Sequence, residues 1–171
     1  MKNGADPVIY VRASARDAQE LLRVRREAVI TSGRGIYPDK ILLAWAPNIT
    51  LENIEEQRRL LSDDDRITLV ARMGDSIIGL CTLGISEGLV KQCYTLPGFQ
   101  GMGVAASLMR EIEKIAIDKG LKELKLSSSM IALPFYKKIG YIELNEYDYP
   151  LSEELFMRCV MMGKEVRSDR C

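Results

Sequence analysis

The chain contains no histidine, and that absence removes more chemistry than any other feature of its composition. Ser-His-Asp and Cys-His catalysis both need an imidazole to take the nucleophile's proton, so neither is available. A zinc site built from clustered Cys and His is also not expected. The four cysteines, Cys81, Cys93, Cys159 and Cys171, include no Cys-x-x-Cys pair, and they read as free, mostly buried thiols. Long apolar runs are missing too: no window of about 18 apolar residues occurs, so no membrane-spanning helix is expected. The first seven residues lack the apolar core of a signal peptide, which makes the cytoplasm the expected compartment. Excess charge of either sign is absent, since 24 basic and 24 acidic side chains cancel. A general nucleic-acid binder needs a positive surface for phosphates and is not expected here. The length of 171 residues suits one domain, residues 1–171, around a single core. Any catalytic base must then be a carboxylate, a tyrosine, an amine terminus or water.

Periodicity assigns most of the chain. Residues 8–12 read as a short opening strand. Ser14-Ala15-Arg16-Asp17 resembles a capping box, and Leu21, Leu22, Val24, Ala28 and Val29 follow at mostly helical spacing. Gly33 and Gly35 end that helix, Pro38 starts a short second one through Trp45, and residues 48–61 form a third. Residues 67–73 and 77–85 flank Gly74-Asp75-Ser76, a hairpin signal, and residues 88–95 make the next strand. From Val104, apolar positions 108, 109, 112, 115 and 116 trace one helical face ending near Gly120. Leu124 and Leu126 mark a strand parallel to the one before the helix, because a helix crosses over between them. Residues 130–139 are helical. Residues 141–144 and 155–162 form a last antiparallel pair, joined by an acidic, tyrosine-rich loop, and residues 164–171 form a tail. The expectation is an α/β fold with a mixed, mostly antiparallel sheet, one parallel βαβ crossover and helices on both faces.

The most informative segment is Gln100-Gly101-Met102-Gly103-Val104-Ala105, between a strand and an amphipathic helix. Gly101 and Gly103 have no Cβ, so the chain can turn tightly and leave its amides bare. The helix that follows points unpaired N–H groups and the positive end of its dipole at the same place. A phosphate or pyrophosphate fits there. Gly101-x-Gly103-x-x-Ala106 also satisfies the dinucleotide fingerprint, but that pattern expects an acid about twenty residues on. The corresponding stretch, Lys125-Leu126-Ser127-Ser128-Ser129, has none. A tight turn without a ligand is the third alternative.

The flanks decide among them. Cys93-Tyr94-Thr95-Leu96-Pro97-Gly98-Phe99 leading into the glycine loop resembles the Gln/Arg-x-x-Gly-x-Gly/Ala signature of the GNAT superfamily of acyl-CoA N-acyltransferases. A second stretch, Ala132-Leu133-Pro134-Phe135-Tyr136-Lys137-Lys138-Ile139-Gly140-Tyr141, is similar to the family's Ala-x-x-Phe-Tyr-x-x-x-Gly-Phe. The resemblance runs from about residue 66 to 143 and is weaker before that. It implies a GNAT-like sheet and acetyl-CoA as co-substrate; no metal is expected, for want of histidine and of clustered cysteines. The amides of Gly101, Met102, Gly103, Val104 and Ala105 would hold the CoA pyrophosphate, and Gln100 opens the motif. Thr95 and Leu96, at the strand end, would pair their backbone with the pantetheine arm. Ser129 stands where the family often has asparagine; its hydroxyl can still hydrogen-bond the arm or the acceptor.

The resemblance gives Tyr136 the role of protonating the departing CoA thiolate, against the alternative of a half-buried core aromatic. A lysine-like amine of pKa about 10.4 costs about 4.6 kcal/mol to deprotonate at pH 7, so something must accept its proton. Glu87, at the start of the strand leading to the loop, is the candidate base, with a solvated turn residue as the competing reading. Cys93 has no histidine to activate it, so direct attack by the amine is expected over an acyl-cysteine. Tyr37, Trp45, Tyr147 and Tyr149, with Asp148 as counter-charge, could surround a cationic amine, although Trp45 also suits core packing. The function expected is transfer of acetyl from acetyl-CoA to the primary amine of a small molecule. The alternatives are a protein or peptide N-acetyltransferase and a non-catalytic acyl-CoA sensor, and the resemblance also allows a homodimer.

Overall fold

A computed structural model of the chain describes residues 6–167. Two hairpin strands, β2 (Arg66–Met73) and β3 (Ser76–Gly84), are buried along almost their whole length. Ile77, Leu80, Cys81 and Leu83 have no exposed surface at all. Strands that are apolar on both faces must be covered on both, and the helices divide accordingly. On one face lie α1 (Ala18–Gly33), α2 (Asp39–Trp45) and α3 (Leu51–Leu61); on the other lie α4 (Val104–Asp118) and α5 (Leu133–Lys138). Met109 of α4 meets Cys81 on the second face, S–S 3.6 Å. Trp45 of α2 meets Tyr94 on the first.

The remaining strands are β1 (Val8–Arg12), β4 (Leu89–Thr95), β5 (Glu123–Ser129), β6 (Ile142–Pro150) and β7 (Phe156–Glu165). The sheet order is β1-β2-β3-β4-β5-β7-β6, with β4 and β5 the one parallel strand pair among the described residues. Among the described residues no helix is long and apolar enough to cross a membrane.

Helix α4 buries Val104, Leu108, Met109, Ile112 and Ala116, following the spacing that one helical face requires. Each large apolar side chain so buried contributes about 1.5–3 kcal/mol relative to exposure. Its first turn lies hard against the sheet at Gly79, where a Cβ would sit 2.9 Å from Val104 Cγ1 and 3.1 Å from the Tyr94 carbonyl oxygen. Glycine is required there by close approach.

The structure corrects the expected boundaries in several places. Helix α3 begins at Leu51, because Thr50 caps it by accepting the Asn53 amide at 3.2 Å. Helix α5 is shorter than its periodicity suggested, spanning Leu133–Lys138. The tyrosine-rich segment is strand: β6 runs through Tyr147, Asp148 and Tyr149 to Pro150, paired residue for residue with β7. Nor does the tail begin at Lys164. That residue is in β7, and its ammonium donates to the Glu113 carboxylate (2.8 and 2.9 Å) and the Ile139 carbonyl (2.9 Å). A charge-assisted cluster tying β7 to α4 and α5 outweighs the polar character of the local sequence. Cys81 and Cys159 are buried and Cys93 partly so, all as free thiols. Cys171 lies outside the described residues.

Candidate active site

The site begins with a failure of strand pairing. β4 and β5 share only two register pairs, Leu89–Lys125 and Val90–Leu126. At the next residue, Lys91, the β3–β4 register slips: Leu83 pairs with Val90 while Thr82 pairs with Gln92. A bulge of this kind bends the strand that carries it, and from there β4 parts from β5. Residues 91–95 therefore keep β3 on one edge and, among the described residues, have no strand on the other. The gap opens into a cleft of about 880 Å³ that both β4 and β5 line.

One end of the cleft is made of backbone. Gly101 and Gly103 have φ of 78° and 80°, and a Cβ on either would meet nothing within 4 Å. These left-handed turns thus face open space, where an L side chain would be strained. Gly103 caps α4 with no side-chain bond, leaving the first-turn N–H groups of a 15-residue helix available to an anion. Gln100, Gly101, Gly103, Val104 and Ala105 all line the cleft. Gln100 Nε2 also donates to Ser32 Oγ at 3.3 Å, tying the loop to the end of α1. Met102 is 63% exposed at the turn's apex and is not on the cleft wall.

Thr95 lines the cleft, and its Oγ1 is buried with no hydrogen-bond partner among the described residues. A buried hydroxyl without a partner is costly, and this one belongs to the strand that parts from β5. Leu96 is buried beside it, its amide bound to the Ile78 carbonyl at 2.9 Å. Across the gap, Ser129 lines the cleft with its Oγ accepting the Ala132 amide at 3.3 Å. The residues present fit the pyrophosphate and pantetheine of coenzyme A.

Tyr136 reaches the cleft from α5, almost wholly buried against Phe135 and Tyr141, with ring centroids 5.0 and 6.0 Å away. Burial first, and then the Cys93 and Cys81 thiols, pushes its hydroxyl well above the ordinary phenol range. The hydroxyl therefore stays protonated near neutral pH. Glu87 is elsewhere: it sits in the exposed β3–β4 turn, paired with Lys91, and does not line the cleft. Among the described residues no aspartate or glutamate does.

The expected aromatic cage for a cation does not assemble. The Tyr37 hydroxyl accepts the Met130 amide (3.3 Å), the Tyr147 hydroxyl donates to Ser127 Oγ (2.6 Å), and Trp45 Nε1 donates to the Tyr94 hydroxyl (3.0 Å). Those polar ends fasten α2 and β6 to the fold. Of the four rings only Trp45 and Tyr149 line the cleft. Asp148 is sent to the surface by the strand alternation of β6, directly opposite Arg158, 3.5 Å away. In place of that cage, the α1/α3 end of the cleft presents Arg25, Gln57, Arg66 and Gln92, which periodicity had absorbed into ordinary helix and strand faces. The one available signal was Gln57, a polar residue three positions from Ile54 and Leu60 on the buried side of its helix.

A parallel strand pair that separates beside a glycine turn, with a helix N-terminus closing the gap, defines the fold of an acyl-CoA-dependent acetyltransferase. The chain belongs to the GNAT family: residues 40–153 match its acetyltransferase (GNAT) domain. It is 34% identical over 62 residues to the uncharacterized N-acetyltransferase YjcF of Bacillus subtilis (strain 168), a stretch covering 36% of this chain and 44% of that one. The match thus spans less than half of that relative. In fold it is similar to a GCN5-related N-acetyltransferase from Rhodopseudomonas palustris, with TM-score 0.83, 19% identity, and 96% and 99% of the two chains covered. It is also similar to the PaiA N-acetyltransferase of Thermoplasma acidophilum in complex with coenzyme A, with TM-score 0.74, 22% identity, and 93% and 99% covered.

Proposed function

We propose that the chain transfers acetyl from acetyl-CoA to the primary amine of a small molecule. The observation that carries this reading is the separation of β4 from β5 beside the Gly101–Gly103 turn, which leaves bare amides at one end and an unpaired strand edge along the cleft. Acetyl-CoA supplies the activated thioester. The loop amides neutralise its phosphates, and the free edge of β4 with Thr95 aligns its arm. Amides on that edge are placed to hold the charge that builds on the carbonyl oxygen when the amine attacks. As the carbon–sulfur bond breaks, the Tyr136 hydroxyl donates to the leaving sulfur and recovers its proton from water. The amine proton leaves to water, because Glu87 is exposed and paired with Lys91 and no carboxylate among the described residues lines the cleft. Holding both reactants in one gap supplies much of the rate.

Calorimetric titration with acetyl-CoA, with NADH as control, tests the reading. Micromolar binding of acetyl-CoA alone, followed by thiol release with an amine panel, is the expected result. Binding without turnover of any amine would favour an acyl-CoA sensor, and binding of neither nucleotide would remove the proposal.

A further inference from the structure

The α1/α3 end of the cleft is more positive than amine transfer requires. Six side chains define it: Arg25 on α1, Gln57 and Leu60 on α3, Arg66 on β2, and Gln92 and Tyr94 on β4. Arg25 enters no ion pair among the described residues. One of its Nη atoms donates to the Trp45 carbonyl, while its Nε is buried and has no partner. Gln57 is 7% exposed, and its amide makes no hydrogen bond to any described residue. The Tyr94 hydroxyl accepts from Trp45 Nε1 at 3.0 Å, which leaves its own proton to donate. Burial raises the Tyr94 pKa and the Arg25 charge works against that rise, and both residues line the same cleft. Arg66 is satisfied only loosely, 3.4 Å from Asp63. Arg25, Gln57 and Leu60 also border a smaller hollow between α1 and α3, where the one acid, Glu56, pairs with Arg59.

A buried guanidinium with an idle N–H, beside an idle amide and an idle hydroxyl, is short of an oxygen acceptor carrying negative charge. The pyrophosphate end cannot share that acceptor. Ser32, which touches the glycine loop, lies seven residues further along α1 than Arg25, or about 10 Å at 1.5 Å per residue.

We infer that this end of the cleft is an oxyanion subsite for the acceptor, so that the acceptor is an amine carrying a carboxylate or phosphate. This rests on the acetyltransfer reading above. Arg25 and Arg66, which both line this cleft, take the anion. Gln57 and Tyr94 donate to its remaining oxygens. The amide oxygen of Gln92, whose Nε2 is committed to Thr82 Oγ1 at 3.1 Å, accepts from the amine. Specificity then comes from the anion, since an acceptor lacking it leaves the arginine unpaired.

The test compares 5-aminopentanoate and 3-aminopropyl phosphate with pentylamine and 1,5-diaminopentane. Each is assayed for thiol release with acetyl-CoA and, separately, for calorimetric binding to the free protein. Wild type, Arg25→Met, Arg25→Lys and Arg66→Gln are used. The expected result is a preference for one or both anionic amines of at least about 10-fold in kcat/KM. Arg25→Met should lose it mainly through KM, Arg25→Lys should keep part of it, and the acetyl-CoA Kd should not move. If the carboxylate and phosphate compounds differ, the better one names the anion. Equal or better use of pentylamine or the diamine, which carry no anionic group, would overturn the subsite, as would a preference that survives Arg25→Met. Should acetyl-CoA fail to bind, the acetyltransfer reading falls by itself; Arg25-dependent binding of the anionic amines alone would still support the subsite, and no such binding would remove it.

Discussion

The two ends of the cleft are built from different materials. At the glycine loop the groups proposed to meet the ligand are main-chain amides, fixed by two left-handed glycines and by the axis of α4. At the α1/α3 end they are side chains, Arg25, Gln57, Arg66 and Gln92, carried on elements whose backbone is ordinary helix or strand. The difference matches what each end must do. A phosphate held by amides asks only for backbone geometry, and any side chain would obstruct it. An acceptor has to be distinguished from other amines, which takes specific donors and charges. The cofactor end of such a cleft is thereby constrained by shape, and the acceptor end is free to vary in chemistry.

The largest effect should come from destroying the backbone end. Gly103→Glu places a Cβ at φ of 80°, and a carboxylate where phosphate is proposed to bind. Acetyl-CoA affinity should fall by about 100-fold or more, roughly 2.7 kcal/mol, while the Arg25-dependent binding of anionic amines persists. Calorimetry on both ligands checks this, and unchanged acetyl-CoA affinity would sink the assignment of the loop.

Tyr136→Phe probes the junction between the two ends. We expect kcat to drop about 10- to 100-fold with the acetyl-CoA Kd unchanged, the lower part of the range because a thiolate of pKa about 8.5 can partly leave unaided. Its raised pKa keeps the phenol protonated, so the kcat–pH profile should show no alkaline loss from this group up to about pH 10. A full rate in the phenylalanine variant would reassign the proton to water.

Away from the cleft, Lys164→Met removes the cation between Glu113 and the Ile139 carbonyl. Leaving that carboxylate poorly paired should cost about 2 kcal/mol of stability, read by denaturant titration, and acetyl-CoA affinity should stay within about 2-fold. A large loss of affinity would mean that the two walls are mechanically coupled through β7.

The smallest effect is a pH dependence at the other edge of the fold. Burial works to raise the Asp17 pKa, but the Ser14 amide at 2.8 Å and the Arg72 guanidinium outweigh it and hold the pKa below the usual value. A depressed carboxylate stabilises the fold fully above its unfolded pKa, about 3.9, and loses that contribution as pH falls through the folded value. The difference in Tm between wild type and Asp17→Asn should therefore be constant near neutrality and vanish in strong acid, without altering turnover at pH 7. A Tm gap that did not close in acid would assign the effect to packing.

Much of this was legible in the residues. The α4 face at positions 104, 108, 109, 112 and 116, the hairpin at Gly74, the parallel crossover and the two-glycine turn all follow from local periodicity and backbone freedom, and each appears where expected. The Ser14–Asp17 box forms as well. Strand β6 was misjudged because Glu, Asn, Asp and Pro between residues 143 and 150 look like turn residues. An edge strand paired on one side only tolerates them, with Arg158 across the ladder to meet Glu146 and Asp148. Glu87 and the aromatic cage were misplaced for another reason. Sequence proximity to a motif says nothing about which way a side chain points, and the partners that claimed these groups, Lys91, Met130, Ser127 and Tyr94, are brought to them by the fold.

What the sequence alone determined is the part of this protein encoded locally. It set the helix faces, the caps, the left-handed turn that leaves amides bare, and the exclusion of imidazole chemistry. These depend on residues within a few positions of one another. Only the tertiary structure decided that β4 leaves β5 at the Lys91 bulge, that no carboxylate among the described residues reaches the cleft, and that Arg25, Gln57, Arg66 and Gln92, separated by as much as 67 positions in sequence, line one cleft. A register slip and a shared cavity are properties of packed surfaces meeting, and no window of the chain contains both sides of such a contact.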